Sequence, residues 1–467
     1  MDNFLQPTGA GLYKGCESIK QIEEPSRMIP VMVETDVLVV GSGPGGLSAA
    51  LAASREGVET MLVERYGCFG GNITQAGVET IAWYRHEKTV ESGGIGVEFE
   101  RRAKEMGGTR KEPQSLSEAL DTEMFKYVAD TMIQEAGITP LLHCLAVHTI
   151  MEGDTLKGIV TESKSGRRAI LAKRIIDATG DADIAYLAGA PYRKAARQDL
   201  LGVTVTFTCS GVDVKRFLEY VKANPPRIGD WDEIKETVSK KNDLFSPYIE
   251  EPFNRAKDAG EIPRDAWIKG TWSTFTETGE ATDLNMVVLY GIDPTDVWDL
   301  TKAEIQGRQQ VMWALAALKK YTPGFERARL RTFGSTLGTR ESRKIVGQYN
   351  ISERDVRNEA RFEDSIGICP EFLDGYGVVI IPTTGRYFQV PYGIMLPLKV
   401  ENLLVAGRCV AGDQISHAAT RQMVCCTVTG QGGGVAAAVS IKDNVTCRAV
   451  DISKVQRGLK KQGARVH

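Results

Sequence analysis

No CxxC pair occurs anywhere in this chain, and its nine cysteines are scattered. That excludes a recognisable zinc or iron–sulfur framework and a redox disulfide beside a glycine loop, so no metal site is expected. Cys425 and Cys426 are adjacent but sit in an apolar, helix-like stretch, where they read as buried, inert thiols. Long apolar runs are also missing: none reaches 18 residues, and no membrane-spanning helix is expected. The N-terminal MDNFLQPTGAGLYKG has neither a charged-then-apolar pattern nor a twin arginine, which predicts a cytoplasmic protein. Charge bias is slight. A net charge of −3 offers no whole-chain basis for nucleic-acid binding. Histidine is scarce, at five residues, and there is no second GxGxxG for a separate nicotinamide domain.

What is present is organised around Thr35–Arg65, TDVLVVGSGPGGLSAALAASREGVETMLVER. Asp36–Val40 is a Val-rich run that reads as a buried parallel strand. It enters Gly41-Ser42-Gly43-Pro44-Gly45-Gly46, and Leu47–Arg55 has the Ala/Leu content of a helix. Glu59–Glu64 returns as a second strand ending in an acid 18 residues after Gly46. Gly41 permits a tight turn, Gly43 admits a pyrophosphate to the backbone, and Gly46 lets helix and strand pack closely. The helix N-terminus offers free N–H groups and a positive dipole end to phosphates, and Glu64 is placed to accept ribose hydroxyls. In this strand–turn–helix–strand context the glycine motif predicts a dinucleotide site.

The remainder divides by composition. Residues 1–34 read as a polar surface arm docked on a neighbouring subunit, which predicts a homo-oligomer. Residues 35–198 read as the first part of a nucleotide-binding domain: a helix over Ser117–Ala136, a strand over Ile138–Ala146, a hairpin at Gly153-Asp154, and strands at Arg168–Lys173 and Arg174–Ala178. Residues 199–331 read as an inserted mixed domain with an antiparallel sheet, 332–445 as the returning second part, and 446–467 as a C-terminal helix capped by Asp451.

Four segments carry a resemblance: GSGPGG with Glu64-Arg65, IIDATGDADIAYLAGAP at Ile175–Pro191, LGTRESRKIVGQY at Leu337–Tyr349, and NLLVAGRCVAGD at Asn402–Asp413. The chain resembles glutathione-reductase-type flavoproteins and, more narrowly, the FAD-dependent oxidoreductase family, with fumarate-reductase-like and heterodisulfide-reductase-like relatives. The resemblance implies an α/β fold: a glutathione-reductase-type, FAD-binding Rossmann domain with an inserted mixed α/β substrate domain. It implies FAD held by Gly41, Gly43, Pro44, Gly45, Gly46, Glu64 and Arg65. Further contacts are expected from Ala178-Thr179-Gly180, from Gly407, Arg408 and Asp413, and, at the adenine, from Ala146-Val147. Gly70, Gly71, Asn72 and Thr74 are expected beside the isoalloxazine ring, and Arg421 reads as a carboxylate clamp, a brace between domains or a flavin-phosphate contact. Three separated strand ends converging on one ligand suit a long molecule at the sheet's carboxyl edge.

Catalytic candidates are few. His86 and His417 lie on segments predicted to edge the flavin, and each reads either as a proton-transfer group or as a hydrogen-bonded wall residue. Arg340 and Arg343 read as carboxylate clamps or as braces between domains. Tyr392 reads as a phenol aimed at the site or as a packing residue. The family's Tyr-Arg after a proline appears here as Tyr392-Gly393, and its late-loop histidine falls near Gln414, three residues before His417. The expected function is a soluble FAD enzyme transferring a hydride between flavin N5 and a small organic substrate, an acid or carbonyl compound. Its electron donor or acceptor is left open. The alternative is an electron-transfer flavoprotein subunit serving partner proteins.

Overall fold

The fold is that of a computed structural model, described for residues 22–81, 90–111, 117–224, 236–238, 248–380, 382 and 385–467. It is an α/β fold with mixed parallel and antiparallel pairing. The main sheet has seven strands: β1 (Val31–Val40), β2 (Thr60–Val63), β3 (Thr139–Leu141), β4 (Leu145–Glu152), β5 (Thr155–Glu162), β6 (Arg168–Asp177) and β7 (Leu403–Val405). β3, β2, β1 and β6 run parallel in that spatial order. β6 divides its other edge. Its first half pairs antiparallel with β5, and its last residues pair parallel with β7, Leu403 opposite Ile175. β4 and β5 form the hairpin that Gly153-Asp154 signals.

Four expectations are corrected here. β1 starts at Val31, because Val31–Glu34 pair with Ala169–Leu171 of β6, so the end of the expected arm is sheet. Arg168–Ala178, read as two strands, contains the single strand β6, since β1 supports it along nearly its whole length. The expected strand Ile138–Ala146 is broken between β3 and β4, where His143 takes a left-handed φ of 54°. The helix expected from Ser117 begins at Thr122, because the Asp121 side chain accepts from the N–H groups of Glu123 and Met124 and caps it there. Glu118–Leu120 is a short strand instead.

A second, antiparallel sheet joins Tyr248–Ile249, Ile268–Thr271, Ala281–Leu289, Val203–Ser210 and Arg329–Phe333. Its apolar side chains, from Val203 to Leu337, form a core distinct from that of the main sheet.

Four helices matter to the site: α1 (Pro44–Arg55), α2 (Val297–Tyr321), α3 (Gln414–Thr420) and α4 (Met423–Lys442). α2 packs on the second sheet. α4 is long and apolar enough to cross a bilayer by length and composition, but 94% of its most apolar window is buried in the protein. Its glycines explain that burial. A Cβ on Gly430 would overlap the Gly45 carbonyl oxygen, and one on Gly434 the Ala49 carbonyl oxygen. α4 therefore lies directly on the backbone of α1. The last helix, Ile452–Lys461, is capped by Asp451 and buries Val455 and Leu459. Its Lys454 pairs with Asp443 at 2.7 Å.

Candidate active site

A cleft of ≈ 390 Å³ lies at the carboxyl ends of β1 and β6, between the main sheet and the second core. Glu64, Arg65 and Ala146 line it from the first core, and Asn285 and Leu337 from the second. The turn from β1 into α1 forms its floor. Gly41 has a φ of 95°, and a Cβ there would lie 2.5 Å from the Ala178 carbonyl oxygen. A Cβ on Gly46 would overlap the Gly41 carbonyl oxygen, so Gly46 serves helix–strand packing and not the cleft wall. Gly43 and Gly407 differ. The nearest atom to a Cβ on Gly43 is Gly71 Cα at 3.9 Å, and a Cβ on Gly407, where φ is 84°, meets nothing within 4 Å. Both line the cleft and leave room for a ligand to lie against the backbone. α1 and α4 both start beside this space without a side-chain cap or an acidic residue in the first turn. Each is suited to bind negative charge.

Glu64 sits at the end of β2 and is buried. Its Oε2 accepts from Ser42 N (2.8 Å) and Ser42 Oγ (2.6 Å), and Oε1 accepts from Tyr66 N (3.0 Å). These bonds fix the carboxylate and leave one lone-pair site, on Oε1, without a protein donor. Asp177, at the end of β6, is fully buried. Desolvation raises its pKa to about 6, against donation from Ala185 N, Thr179 Oγ1 and Thr179 N. It holds Ala178-Thr179-Gly180 in place on the wall. Arg408 reaches over Gly180 and donates to Asp181 Oδ1 at 2.8 Å, and Ser342 Oγ donates to the same oxygen at 2.6 Å. Burial works against the Asp181 charge, but Arg408, Ser342 and Arg65 outweigh it and hold the carboxyl below the usual range.

Of the sequence-predicted contacts, Gly41, Gly43, Pro44, Gly45, Glu64, Arg65, Gly71, Asn72, Ala146, Ala178, Thr179, Gly180, Gly407, Arg408 and Arg421 line the cleft. Five others, and the catalytic candidate Tyr392, have different duties. Gly46 packs, as above. Gly70 takes a φ of 114°, and a Cβ there would strike the Thr74 side chain. The Thr74 hydroxyl donates to Phe69 O at 2.7 Å and pins the same turn. Val147 stands off the wall, where Leu145 and Cys144 take the place expected of it. Asp413 caps α3, accepting from Ser416 N, and also accepts from Glu353 N. Tyr392 is buried away from the cleft and donates to Cys447 O at 2.9 Å, which makes it a packing residue.

Among the catalytic candidates, His86 lies outside the described residues. His417 is buried, 1% exposed, behind Arg340, with Nε2 3.1 Å from the Arg340 carbonyl oxygen. Desolvation, then Lys344 and Arg421, hold it well below the usual histidine range, so the ring is neutral. A neutral imidazole facing a carbonyl donates from Nε2. His417 therefore positions Arg340 and does not touch the cleft. Arg340 lines the cleft and donates to Gly202 O (2.9 Å) and Asn285 Oδ1 (3.4 Å), joining the two cores. Arg343 is committed elsewhere: it donates to Asp181 O and Asp183 Oδ1 and stacks 4.2 Å above the Tyr186 ring. It is a brace.

Sequence reading missed Asn285, Asp374 and the Thr336–Thr339 segment on the wall. Glu304 of α2 holds that segment by accepting from Thr336 Oγ1 and Leu337 N, each at 3.1 Å. No local motif marks Asn285 or Asp374; Leu337–Thr339 open the LGTRESRKIVGQY segment, but nothing in that segment signals that they line the cleft.

A parallel sheet with a glycine turn, an acid on the next strand and two open helix N-termini at one cleft defines a dinucleotide-cofactor protein. A family model described as FAD dependent oxidoreductase matches residues 36–459, and the chain belongs to that family. Among curated proteins it is similar to thiamine thiazole synthase of Methanococcus vannielii, 30% identical over 160 residues, covering 32% of this chain and 57% of that protein. It is also similar to sarcosine oxidase subunit alpha of a Corynebacterium species, 43% identical over 72 residues, covering 15% of this chain and 8% of that protein. The matches thus span little more than half of the first relative and a small part of the second. Among solved structures it is similar to a geranylgeranyl bacteriochlorophyll reductase-like protein of Thermoplasma acidophilum, with TM-score 0.45 and 13% identity over 92% of this chain and 82% of that one. A flavin-dependent brominase matches with TM-score 0.46 and 11% identity over 92% and 83%.

FAD fits the residues present: the open sides of Gly43 and Gly407 leave a backbone cradle, and the fixed Glu64 carboxylate stands at its edge. Glu64→Ala removes that acceptor and frees Ser42. The variant is expected to retain FAD about tenfold or more weakly, the scale of a lost charge-assisted contact. Flavin absorbance per protein after dialysis measures it; full retention would remove Glu64 from the binding set.

Proposed function

We propose that this FAD-dependent oxidoreductase acts on a small organic molecule seated between the two cores. The observation that carries this reading is one continuous cleft bearing both the nucleotide-type residues of the main sheet and Arg340 and Asn285 at the second core. When bound, FAD supplies hydride chemistry at its N5 atom. The chain's own contribution is placement. Glu64, the α1 N-terminus and Arg408 orient the nucleotide portion. The α4 N-terminus favours negative charge beside it. The second core closes over the opposite side and excludes water. Arg340, held by Gly202 O and the His417 ring, keeps a cation at the wall next to Asn285. Five parallel strands with an antiparallel hairpin on one edge support the glutathione-reductase-type reading of the main sheet.

The test is the visible spectrum of the purified protein during anaerobic additions. We expect flavin bands that bleach with a small organic acid or carbonyl-forming donor, or that return from the bleached state when such a compound is the acceptor. Flavin that exchanges electrons with iron–sulfur proteins but with no small molecule would overturn the reading and favour an electron-transfer subunit.

A further inference from the structure

We propose that Arg340 and Arg421 form a subsite for a carboxylate group of the substrate, with Asp374 competing for Arg421. This deepens the reading above and rests on it for the word substrate; the binding site itself does not.

The two guanidinium groups reach the cleft from different parts of the chain. Arg340 ends the Thr336–Arg340 segment, and Arg421 follows α3. Arg340 has only neutral acceptors, Gly202 O and Asn285 Oδ1. Among the described residues no carboxylate stands within ion-pairing distance of it. Desolvation and then the Arg421 charge lower its pKa, while Asp374, Tyr290 and Asp283 offset this from a distance. Two like charges thus face a shared, partly dehydrated space with one nearby carboxylate, Asp374, so a net positive charge is left for an entering anion to neutralise.

Arg421 is incompletely satisfied. Its NH2 donates to the Asp374 carbonyl oxygen and, at 3.0 Å, to Asp374 Oδ2, but its Nε is buried with no partner. The Arg421 side chain is 11% exposed, whereas Asp374 is 47% exposed and can turn outward to solvent. A guanidinium is a planar fork whose paired donors match the two oxygens of a carboxylate. Arg343 does not line the cleft, and its Nη1 is held by Asp181 O and Asp183 Oδ1.

The test uses the full-length, FAD-loaded protein and calorimetry with benzoate, its uncharged analogue benzamide, and inorganic phosphate. Benzoate is expected to bind at least about tenfold more tightly than the other two. Arg340→Gln and Arg421→Gln are each expected to weaken benzoate by about tenfold or more with FAD retained, and Asp374→Asn to tighten it by freeing Arg421. Asp374→Asn alters a half-exposed residue, so it reads the site even where an arginine variant fails to fold. Equal binding of benzoate and benzamide, tighter binding of phosphate, unchanged benzoate affinity in both arginine variants, loss of flavin from them, or weakening in Asp374→Asn would each overturn the subsite. Because binding is measured without turnover, a subsite that behaves as expected while no small molecule exchanges electrons with the flavin would sink the proposed function alone.

Discussion

Gly434→Ala and Gly430→Ala are each expected to destabilise the protein by about 2 kcal/mol or more, although alanine is the better helix former. In an exposed helix interior this exchange gains about 1 kcal/mol. Here the added methyl groups of α4 would overlap backbone oxygens of α1, Ala49 O for Gly434 and Gly45 O for Gly430. A backbone oxygen inside a helix has no rotamer to retreat into, so the helices must separate. Overpacking of this kind costs about 1–3 kcal/mol, and more when backbone moves. Gly433 provides the comparison on the same helix. Its added Cβ would meet Met395 Cε at 2.8 Å, the end of a flexible side chain, and Gly433→Ala is expected to stay within about 1 kcal/mol of the parent. Gly430→Ala carries a second consequence: moving Gly45 disturbs the turn that floors the cleft, so FAD retention falls with stability. Urea midpoints and flavin content of the three variants measure both effects. Equal midpoints for all three would mean that α4 does not rest on the α1 backbone.

The same helix illustrates what the sequence discloses. Its glycine and alanine content marks a helix packed closely on something, but only the structure names α1 as the partner. The β1 turn was legible because its parts are contiguous: strand, glycines, helix and Glu64 all lie within Thr35–Arg65. Ala178-Thr179-Gly180 and Gly407 were legible as glycine-terminated strand ends. Asp413 and Tyr392 were ambiguous for a physical reason. An aspartate before a helix is as fit to cap it as to bind a ribityl chain, and a tyrosine after a proline can satisfy its hydroxyl on any nearby carbonyl. Asn285, Asp374 and the His417–Arg340 contact depend on pairings between distant segments, and no local spacing encodes them. The same holds for Glu79, an acid between two cleft-lining residues, Val78 and Thr80, whose environment is set by a strand about 200 residues later.

Glu79→Gln is expected to make the protein more stable, by an amount that grows with pH. Glu79 is 4% exposed, and Thr282 Oγ1 donates to its Oε2 at 2.7 Å. Its backbone N–H donates to Asp283 Oδ2 at 3.3 Å, which brings a second carboxylate alongside. Asp283 sits at an irregularity of its strand with a left-handed φ of 44°, a conformation that costs a non-glycine residue energy. Desolvation, then the charge of Asp283, raises the Glu79 pKa from 4.5 to about 8, against the Thr282 bond and the more distant Arg110. The folded pKa lies above the unfolded one. The stability tied to the protonated carboxyl is therefore complete below pH 4.5 and is lost progressively as pH rises to about 8. Each unit in that window removes up to about 1.4 kcal/mol, so about 3 kcal/mol is gone near neutrality. Glutamine has the shape of the protonated acid, accepts from Thr282, offers its amide to Asp283 and does not titrate. Urea denaturation of both proteins at pH 5 and pH 8 measures the difference, which should be small at pH 5 and a few kcal/mol at pH 8. Parallel stabilities at the two pH values would show that Glu79 ionises in the folded protein at its ordinary pKa, and that water or a counter-charge reaches the space between the two cores.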